Sequence, residues 1–567
     1  MVSGYKGGKK KMSINISKQK REDLLNKIKE IRTFISAAPQ DKNTGNLLSY
    51  LSDLEKDVNG KKYGLVFEEH REEIDEVLDT HTPVLTEEND LFIDNDGQMN
   101  FLIEGDNLAS LKLLKKTHKG KIDLIYIDPP YNTGSKDFIY DDAYVVKEDG
   151  YRHSKWLSFL SKRLLIAKSL LSNNGIIFIS ISDIEQATMR ILCNEIFGEQ
   201  NFVGNLVWAN KEGGGSSDSK LFRIKHEYIV VYAKNIELID IAGVKISNED
   251  RYKSSDEYEA IRGKYYLQKL GMGSIQYSSS LDYPIDTPDG STVMPKDNNG
   301  GKKACWRWSQ DKYKWGKDNG FIEIKKDSKG VWTVYTKQYL KCDNEGNIIV
   351  RTNRPMGIID EFSSTQGAKT VRQIFGETIF SYPKDVNLII WLIERIASKD
   401  ITILDFFAGS GTTGHAVMKL NVEDSGNRKF ILCTNNENNI CRNVTYERIK
   451  RVIDKEGYSA SLKYYKVNYV SISNRMYYEY ADELLKHIRE LVELENGVNF
   501  MGNAEIAIVL TEEELDDFVS KLENNTKCQK LYLGHDILMD AQQAQVLKDR
   551  KITTNIIPDY YYKELEG

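Results

Sequence analysis

Asp128-Pro129-Pro130-Tyr131 places a carboxylate, a phenol ring and a stiff, carbonyl-bearing turn just after an apolar run, Leu124-Ile125-Tyr126-Ile127. The run reads as a buried strand, and the paired prolines end it. The group is thus expected at the carboxyl end of a strand, the edge where open α/β sheets bind ligands. This set suits attack by an exocyclic amino nitrogen, whose lone pair is delocalised into its ring. The Asp128 carboxylate and the Pro129 carbonyl can each accept a hydrogen bond from the NH2 group, drawing the nitrogen toward sp3 geometry. Tyr131 can stack on the ring face. A base in a duplex reaches such a site only by leaving the stack. The competing reading is a strand that ends in a Pro-Pro turn with an Asp cap.

A second chemical stretch lies far downstream. Ile401-Thr402-Ile403-Leu404 reads as a strand, followed by Asp405-Phe406-Phe407-Ala408-Gly409-Ser410-Gly411-Thr412-Thr413-Gly414. Gly409 to Gly414 fits G-x-G-x-x-G between strand and helix. Its glycines allow close backbone approach, and the helix start offers free N–H groups. The next strand, residues 430–433, is followed by Glu437, an acid placed to hold ribose hydroxyls, with Asn435 as the alternative. This segment alone suits a dinucleotide as well as S-adenosyl-L-methionine.

Other elements must position these residues. Residues 100–104 read as a strand and 108–116 as a helix before the strand of Asp128, which makes a βαβ unit and a parallel sheet. Asp106 falls at a strand end, as a helix N-cap or a ligand contact. A helix over 156–171 and strands over 176–181 and 229–232 extend the pattern. His226 precedes the last of these and reads as structural. Gly213-Gly214-Gly215-Ser216-Ser217 is expected to be a loop on the catalytic side. Residues 16–38 form an amphipathic helix through Leu24, Ile28, Ile31 and Ile35, and a second helix surrounds Leu47, Leu51 and Leu54.

The chain has 567 residues, 40% hydrophobic and 29% charged. That is enough for roughly three or four globular domains. Its net charge of -6 requires any nucleic-acid surface to be local. The six cysteines form no CxxC pair, so they are expected to be buried thiols in a reducing cytoplasm. No apolar run suits a membrane span, and the Gly/Lys-rich start does not resemble a secretory signal. Residues 302–354 carry 13 Lys/Arg against 6 Asp/Glu and four of the seven tryptophans. Lys302, Lys303, Arg307, Trp306 and Trp308 are therefore candidates for phosphate and base contact; a small β-rich domain with core tryptophans is the alternative. Residues 481–567 hold 18 Asp/Glu against 9 Lys/Arg, which suits a partner surface better than DNA.

Together these stretches resemble the β-class DNA amino-methyltransferases, and more closely the modification (Mod) subunit of a type III restriction–modification system. The carrying residues are Phe101-Leu-Ile-Glu-Gly-Asp-Asn107, Asp128-Pro-Pro-Tyr-Asn-Thr-Gly134, His226-Glu-Tyr-Ile-Val-Val-Tyr-Ala-Lys234, Phe380-Ser-Tyr-Pro-Lys384 and Asp405-Phe-Phe-Ala-Gly-Ser-Gly-Thr-Thr413. The resemblance covers roughly residues 60–455. It implies a Rossmann-like α/β methyltransferase sheet in permuted order with an inserted recognition domain. The expected division is 1–60 leader and helices, 61–234 catalytic half, 235–378 target recognition, 379–455 cofactor half and 456–567 a helical or α+β interaction domain.

It implies that Asp106, Tyr382, Pro383, Lys384, Asp405 to Thr413 and Glu437 contact S-adenosyl-L-methionine. Within that loop Phe406, Ala408, Gly409, Gly411, Thr412 and Thr413 are included. Asp128, Pro129, Pro130 and Tyr131 would act on the target base, with Asp rather than Ser at 128 pointing to adenine N6. A cytoplasmic bacterial homodimer on double-stranded DNA, with a separate restriction subunit, would follow. Competing readings are a solitary DNA methyltransferase, a non-catalytic recognition subunit, and a nicotinamide-dependent oxidoreductase resting on G-x-G-x-x-G alone. No G-x-x-x-x-G-K-[ST] loop occurs, so cleavage would need a partner.

Overall fold

The computed structural model describes residues 16–37, 42–59, 65, 67–134, 139–140, 143–211, 222–246, 248–274, 276–328, 330–472, 477–501, 503–522 and 527–562. The expected loop at 213–217 lies outside them. The strand of Asp128, Ile122–Ile127, is buried on both faces. Ile125 and Ile127 join one hydrophobic cluster, while Leu124 and Tyr126 join another. A strand covered on both sides has no polar alternation, which explains the unbroken apolar run.

This strand lies inside a ten-stranded sheet. From edge to edge its strands are His81–Glu87, Ala460–Ser471, Gln98–Glu104, Lys429–Thr434, Thr402–Asp405, Ile122–Ile127, Leu171–Ile181, Glu227–Ala233, Phe202–Trp208 and Ile358–Ile359. Pairing is parallel from Ala460–Ser471 to Leu171–Ile181. Glu227–Ala233 runs antiparallel to both of its neighbours. The helices Asn107–Thr117, Arg152–Leu170 and Gln186–Phe197 cover one face. Val386–Ile393, Thr412–Asp424 and Glu447–Glu456 cover the other. The two halves of the sequence thus share one sheet, as the permuted order implies.

Polar side chains fix the seam between the halves. Asp123 accepts the backbone N–H of Thr402 at 2.9 Å at the amino ends of the two central strands. At the carboxyl ends, Asn107 Nδ2 donates to the Phe406 carbonyl at 3.0 Å. The buried Asn100 side chain donates to Ser461 O at 3.1 Å and accepts from Phe430 N at 2.9 Å, tying three strands together.

The middle region builds its own three-stranded sheet from Tyr265–Lys269, Trp332–Tyr339 and Ile322–Lys326. By residues 358–359 the chain has rejoined the main sheet, and Ile374 of the helix Ser364–Phe375 packs into its core. The amino-terminal helices, Ile16–Ala37 and Lys42–Asn59, bury Ile28 and Leu51 but leave Leu24, Ile31, Phe34, Leu47, Tyr50 and Leu54 exposed.

The region beyond 455 is less separate than its composition suggests. The strand Ala460–Ser471 lies inside the main sheet, and the helix Ile488–Asn496 packs into the same core. Only later does a small parallel sheet form, from Ile506–Val509, Lys530–Gly534 and Thr553–Ile557. Acidic composition reports what faces solvent and is silent about which strand lies beneath. A chain ending at residue 455 should therefore lose cooperative folding, because Gln98–Glu104 and His81–Glu87 lose the strand between them. Thermal melting followed by circular dichroism checks this; an unchanged transition would contradict the sheet assignment.

Candidate active site

The two prolines carry Asp128 and Tyr131 past the sheet edge. The turn is held from behind by the buried Trp156, whose Nε1 donates to Pro130 O at 2.7 Å. Among the described residues the Pro129 carbonyl accepts no hydrogen bond. The next residue, Asn132, adopts φ 55° and donates to the buried Glu185 at 2.6 Å.

Asp128 sits in a compact ionic cluster. Its Oδ1 accepts from the Tyr131 hydroxyl at 2.8 Å, and its Oδ2 from Lys384 Nζ at 2.7 Å. The Tyr131 hydroxyl also lies 3.0 Å from Glu227 Oε2 and accepts from Lys384 Nζ at 3.0 Å. Glu227 Oε1 accepts from Asn210 Nδ2 at 2.6 Å. Burial opposes the charge on Lys384, but the Asp128 and Glu227 carboxylates outweigh it and raise the ammonium above its ordinary pKa. Burial, then the charges of Asp128 and Glu227, keep the Tyr131 phenol well above its ordinary value. The resemblance gives Lys384 to the cofactor; its ammonium instead meets the carboxylate expected to act on the base.

Beside this cluster, the loop after Thr402–Asp405 makes a cradle. Gly409 and Gly411 have φ of 49° and 74°, a region that disfavours side-chain-bearing residues. A Cβ on Gly409 would meet Phe380 and a backbone oxygen at 3.5 and 3.8 Å, ordinary contact distances, and Gly409 is part-exposed. Gly414 serves packing, since a Cβ there would come within 2.7 Å of Ile449. Thr412 and Thr413 open the helix Thr412–Asp424. Arg448 is fully buried under the loop, donating to Ser410 O at 3.2 Å and Thr412 Oγ1 at 2.8 Å.

The remaining expected residues surround this cradle. Asp106 caps its helix through Leu108 N at 2.7 Å and lies 3.5 Å from Arg163 Nη2, leaving part of its carboxylate exposed. Tyr382 is 87% exposed at φ 60°. A bulky residue thus holds a strained backbone next to Pro383 and Lys384. Glu437 and Asn435, the two alternatives for the ribose contact, hydrogen-bond to each other at 2.7 Å.

The middle region corrects two expectations. Trp306 and Trp308 are buried with Tyr265, Phe321 and Val334 in the region's own core, so the structural reading holds for them and neither is placed to stack on a base. Arg307 is half-buried, bonded to Thr336 at 3.0 Å. Lys302 and Lys303 are exposed. Sequence reasoning missed Glu227, Asn210, Trp156 and Arg448. Glu227 adjoins His226, which reads as structural, and the His226 ring lies 3.1 Å from the Tyr228 hydroxyl.

Asp405 is 2% exposed; burial pushes its carboxyl up to about 7, against the bonds from Thr413 Oγ1 (2.6 Å) and Phe407 N (3.0 Å). The unfolded chain ionises this group near pH 4, whereas the fold keeps it neutral to about 7, so stability falls as pH rises through that window. Asp405→Asn should flatten the decline by roughly 4 kcal/mol. Denaturant titrations at pH 4 to 8 check this; equal pH slopes in both proteins would contradict it.

The geometry has close counterparts in known sequences. Residues 122–490 match the DNA methylase family. The Type III restriction-modification enzyme StyLTI Mod subunit of Salmonella typhimurium is 32% identical over 403 residues, covering 64% of this chain and 57% of the relative. The EcoPI Mod subunit of Escherichia phage P1 is 32% identical over 392 residues, 61% of this chain and 58% of the relative. The Type II methyltransferase M.KpnI of Klebsiella pneumoniae is 34% identical over 381 residues, 65% of this chain and 86% of the relative. The chain thus spans less than three-fifths of the two Mod subunits and most of M.KpnI. With Asp128-Pro-Pro-Tyr131 and the 405–414 loop at adjacent strand ends of one sheet, the chain belongs to the DNA methylase family.

Proposed function

We propose that this protein is a site-specific DNA methyltransferase that methylates adenine N6, with S-adenosyl-L-methionine as donor. The observation that carries the reading is the parallel pairing of Thr402–Asp405 with Ile122–Ile127, which sets the glycine loop beside the Asp128 cluster. The fit to the donor rests on part-exposed Gly409, the helix start at Thr412 and exposed Tyr382. Asp405, Phe406, Ala408, Gly409, Gly411, Thr412 and Thr413 would hold it, with Asp106 and either Glu437 or Asn435 nearby. The donor supplies an electrophilic methyl group. Asp128 and the Pro129 carbonyl orient the amine, Pro130 fixes the turn, and Tyr131 supports the extruded base. The intact cluster opposes a purely non-catalytic recognition role.

The similarity to Mod subunits supports a modification and recognition subunit of a type III system, working with a restriction partner in the cytoplasm. The 86% coverage of M.KpnI supports a second reading, a solitary methyltransferase. Readout of an asymmetric site and methylation would need separate modules, and the chain carries one inserted module. A homodimer in which one copy reads and the other methylates fits this, with the exposed apolar side chains of the amino-terminal helices and the acidic carboxyl end as its interface. Among the described residues, no helix is long and apolar enough to cross a membrane.

Incubation with duplex DNA and methyl-labelled donor, then digestion to nucleosides, should place the label in N6-methyladenine. Label in N4-methylcytosine, or none, would defeat the reading. Asp128→Ala should abolish turnover while donor affinity changes by less than about threefold, roughly 0.6 kcal/mol; calorimetry separates the two. Neutralising Lys302 and Lys303 together should weaken DNA binding and flatten its salt dependence by about two units of slope. An unchanged slope would remove these lysines from the interface.

A further inference from the structure

The Tyr131 hydroxyl has one hydrogen and two carboxylate oxygens in reach, Asp128 Oδ1 at 2.8 Å and Glu227 Oε2 at 3.0 Å. It also receives a hydrogen from Lys384 Nζ, which lies 2.7 Å from Asp128 Oδ2 and 3.5 Å from Glu227 Oε2. The four groups close a ring holding two carboxylates and one ammonium. A single phenol hydrogen serves one carboxylate at a time. The other close oxygen pair lacks a hydrogen until the ring takes up a proton. Two carboxyl groups brought this near through one hydroxyl form a site for a shared proton.

The methyl-transfer reading, on which this inference rests, releases one proton. The amine lone pair forms the nitrogen–carbon bond, the carbon–sulfur bond breaks with its pair left on sulfur, and the nitrogen sheds a proton. We propose that Glu227 is the terminal acceptor of this proton, reached from Asp128 through the Tyr131 hydroxyl. Asp128 takes the proton from the amine and passes it to the Tyr131 oxygen, while the phenol hydrogen moves to Glu227 Oε2. Glu227 ends neutral, Asp128 is again a carboxylate, and Tyr131 remains a phenol throughout. Lys384 compensates the ring's charge and holds both carboxylates in place. Glu227 does not touch the base; it is a positioning residue acting through Tyr131.

The surroundings of Glu227 fit this role. The titratable groups facing it are Asp128 and Tyr131 from the Pro-Pro turn, Lys384 from the segment before the helix Val386–Ile393, and Tyr126 on Ile122–Ile127, two strands away in the sheet. Asp405 acts on Asp128 from the next strand. Asn210 pins the other Glu227 oxygen at 2.6 Å, which keeps Oε2 turned to Tyr131.

Glu227→Gln tests the relay in single-turnover methylation across pH. The expected result is roughly a hundredfold slower transfer, with DNA and donor affinities changed only a few-fold. The acid limb of the profile should move, because the proton taken from the amine then has no second carboxylate to reach. Glu227→Asp should recover part of the rate. A purely structural role would lower the rate at every pH and leave the limb in place, which would overturn the proposal. Infrared titration of the free protein gives a readout independent of methylation. It should show a protonated-carboxyl band that Asp128 and Glu227 share, lost in both Glu227→Gln and Asp128→Asn. Absence of that band from the unmodified protein, or its survival in both variants, would also overturn the proposal. Should the unmodified protein bind the donor yet methylate no DNA, the reading under Proposed function fails, and the infrared titration still judges the shared proton.

Discussion

The structure depends on one pairing, the parallel contact of Ile403 and Leu404 with Leu124 and Ile125. Residues 128 and 405 lie in opposite halves of the sequence, and no local interaction could bring them together. The pairing places both strand ends at one edge, where the chain turns outward on either side. This is the crevice where open α/β sheets hold ligands. Asp123 and Asn107 lock the seam at its two ends through backbone groups of the other half. A slip of one residue would turn Asp128 and Asp405 to different faces.

Burial gives the edge its chemistry. In water the Asp128, Glu227 and Lys384 charges would be hydrated independently. Here they meet within 3.5 Å under a Trp156-braced turn, and Lys384 keeps its charge because two carboxylates offset the desolvation. Asp405 shows the opposite outcome. Among the described residues it pairs with no cation, and burial pushes its carboxyl up to about 7. The two acids at adjacent strand ends thus sit in different surroundings, Asp128 beside the Lys384 ammonium and Asp405 bonded to the loop it supports.

The legibility of the sequence follows from whether function needs residues that are adjacent in the chain. The Asp128 to Tyr131 turn and the Gly409 to Gly414 loop were readable because strand, breaker and chemistry are contiguous. The shared sheet was readable because both segments needed one cleft. Glu227 and Asn210 were not, since Glu227 meets Tyr131 only through the antiparallel strand Glu227–Ala233, and Asn210, past the end of Phe202–Trp208, meets Glu227. Local composition also misled. Trp306 and Trp308 lie among lysines in sequence, yet a small domain without a large core must bury its tryptophans. The division at 455 set apart Ala460–Ser471, a strand of the main sheet whose Lys463 is buried and paired with Glu87 and Glu493.

Under the proposed function the Asp128 cluster handles the target base and the 405–414 loop handles the donor. A crystal structure with a cognate duplex and a non-reactive donor analogue tests this division. It should show an extruded adenine with its amine on Asp128 and the Pro129 carbonyl, the analogue against Gly409 to Thr413, and Lys384 still between Asp128 and Glu227. A base held elsewhere, or Lys384 withdrawn to bind the analogue, would contradict it.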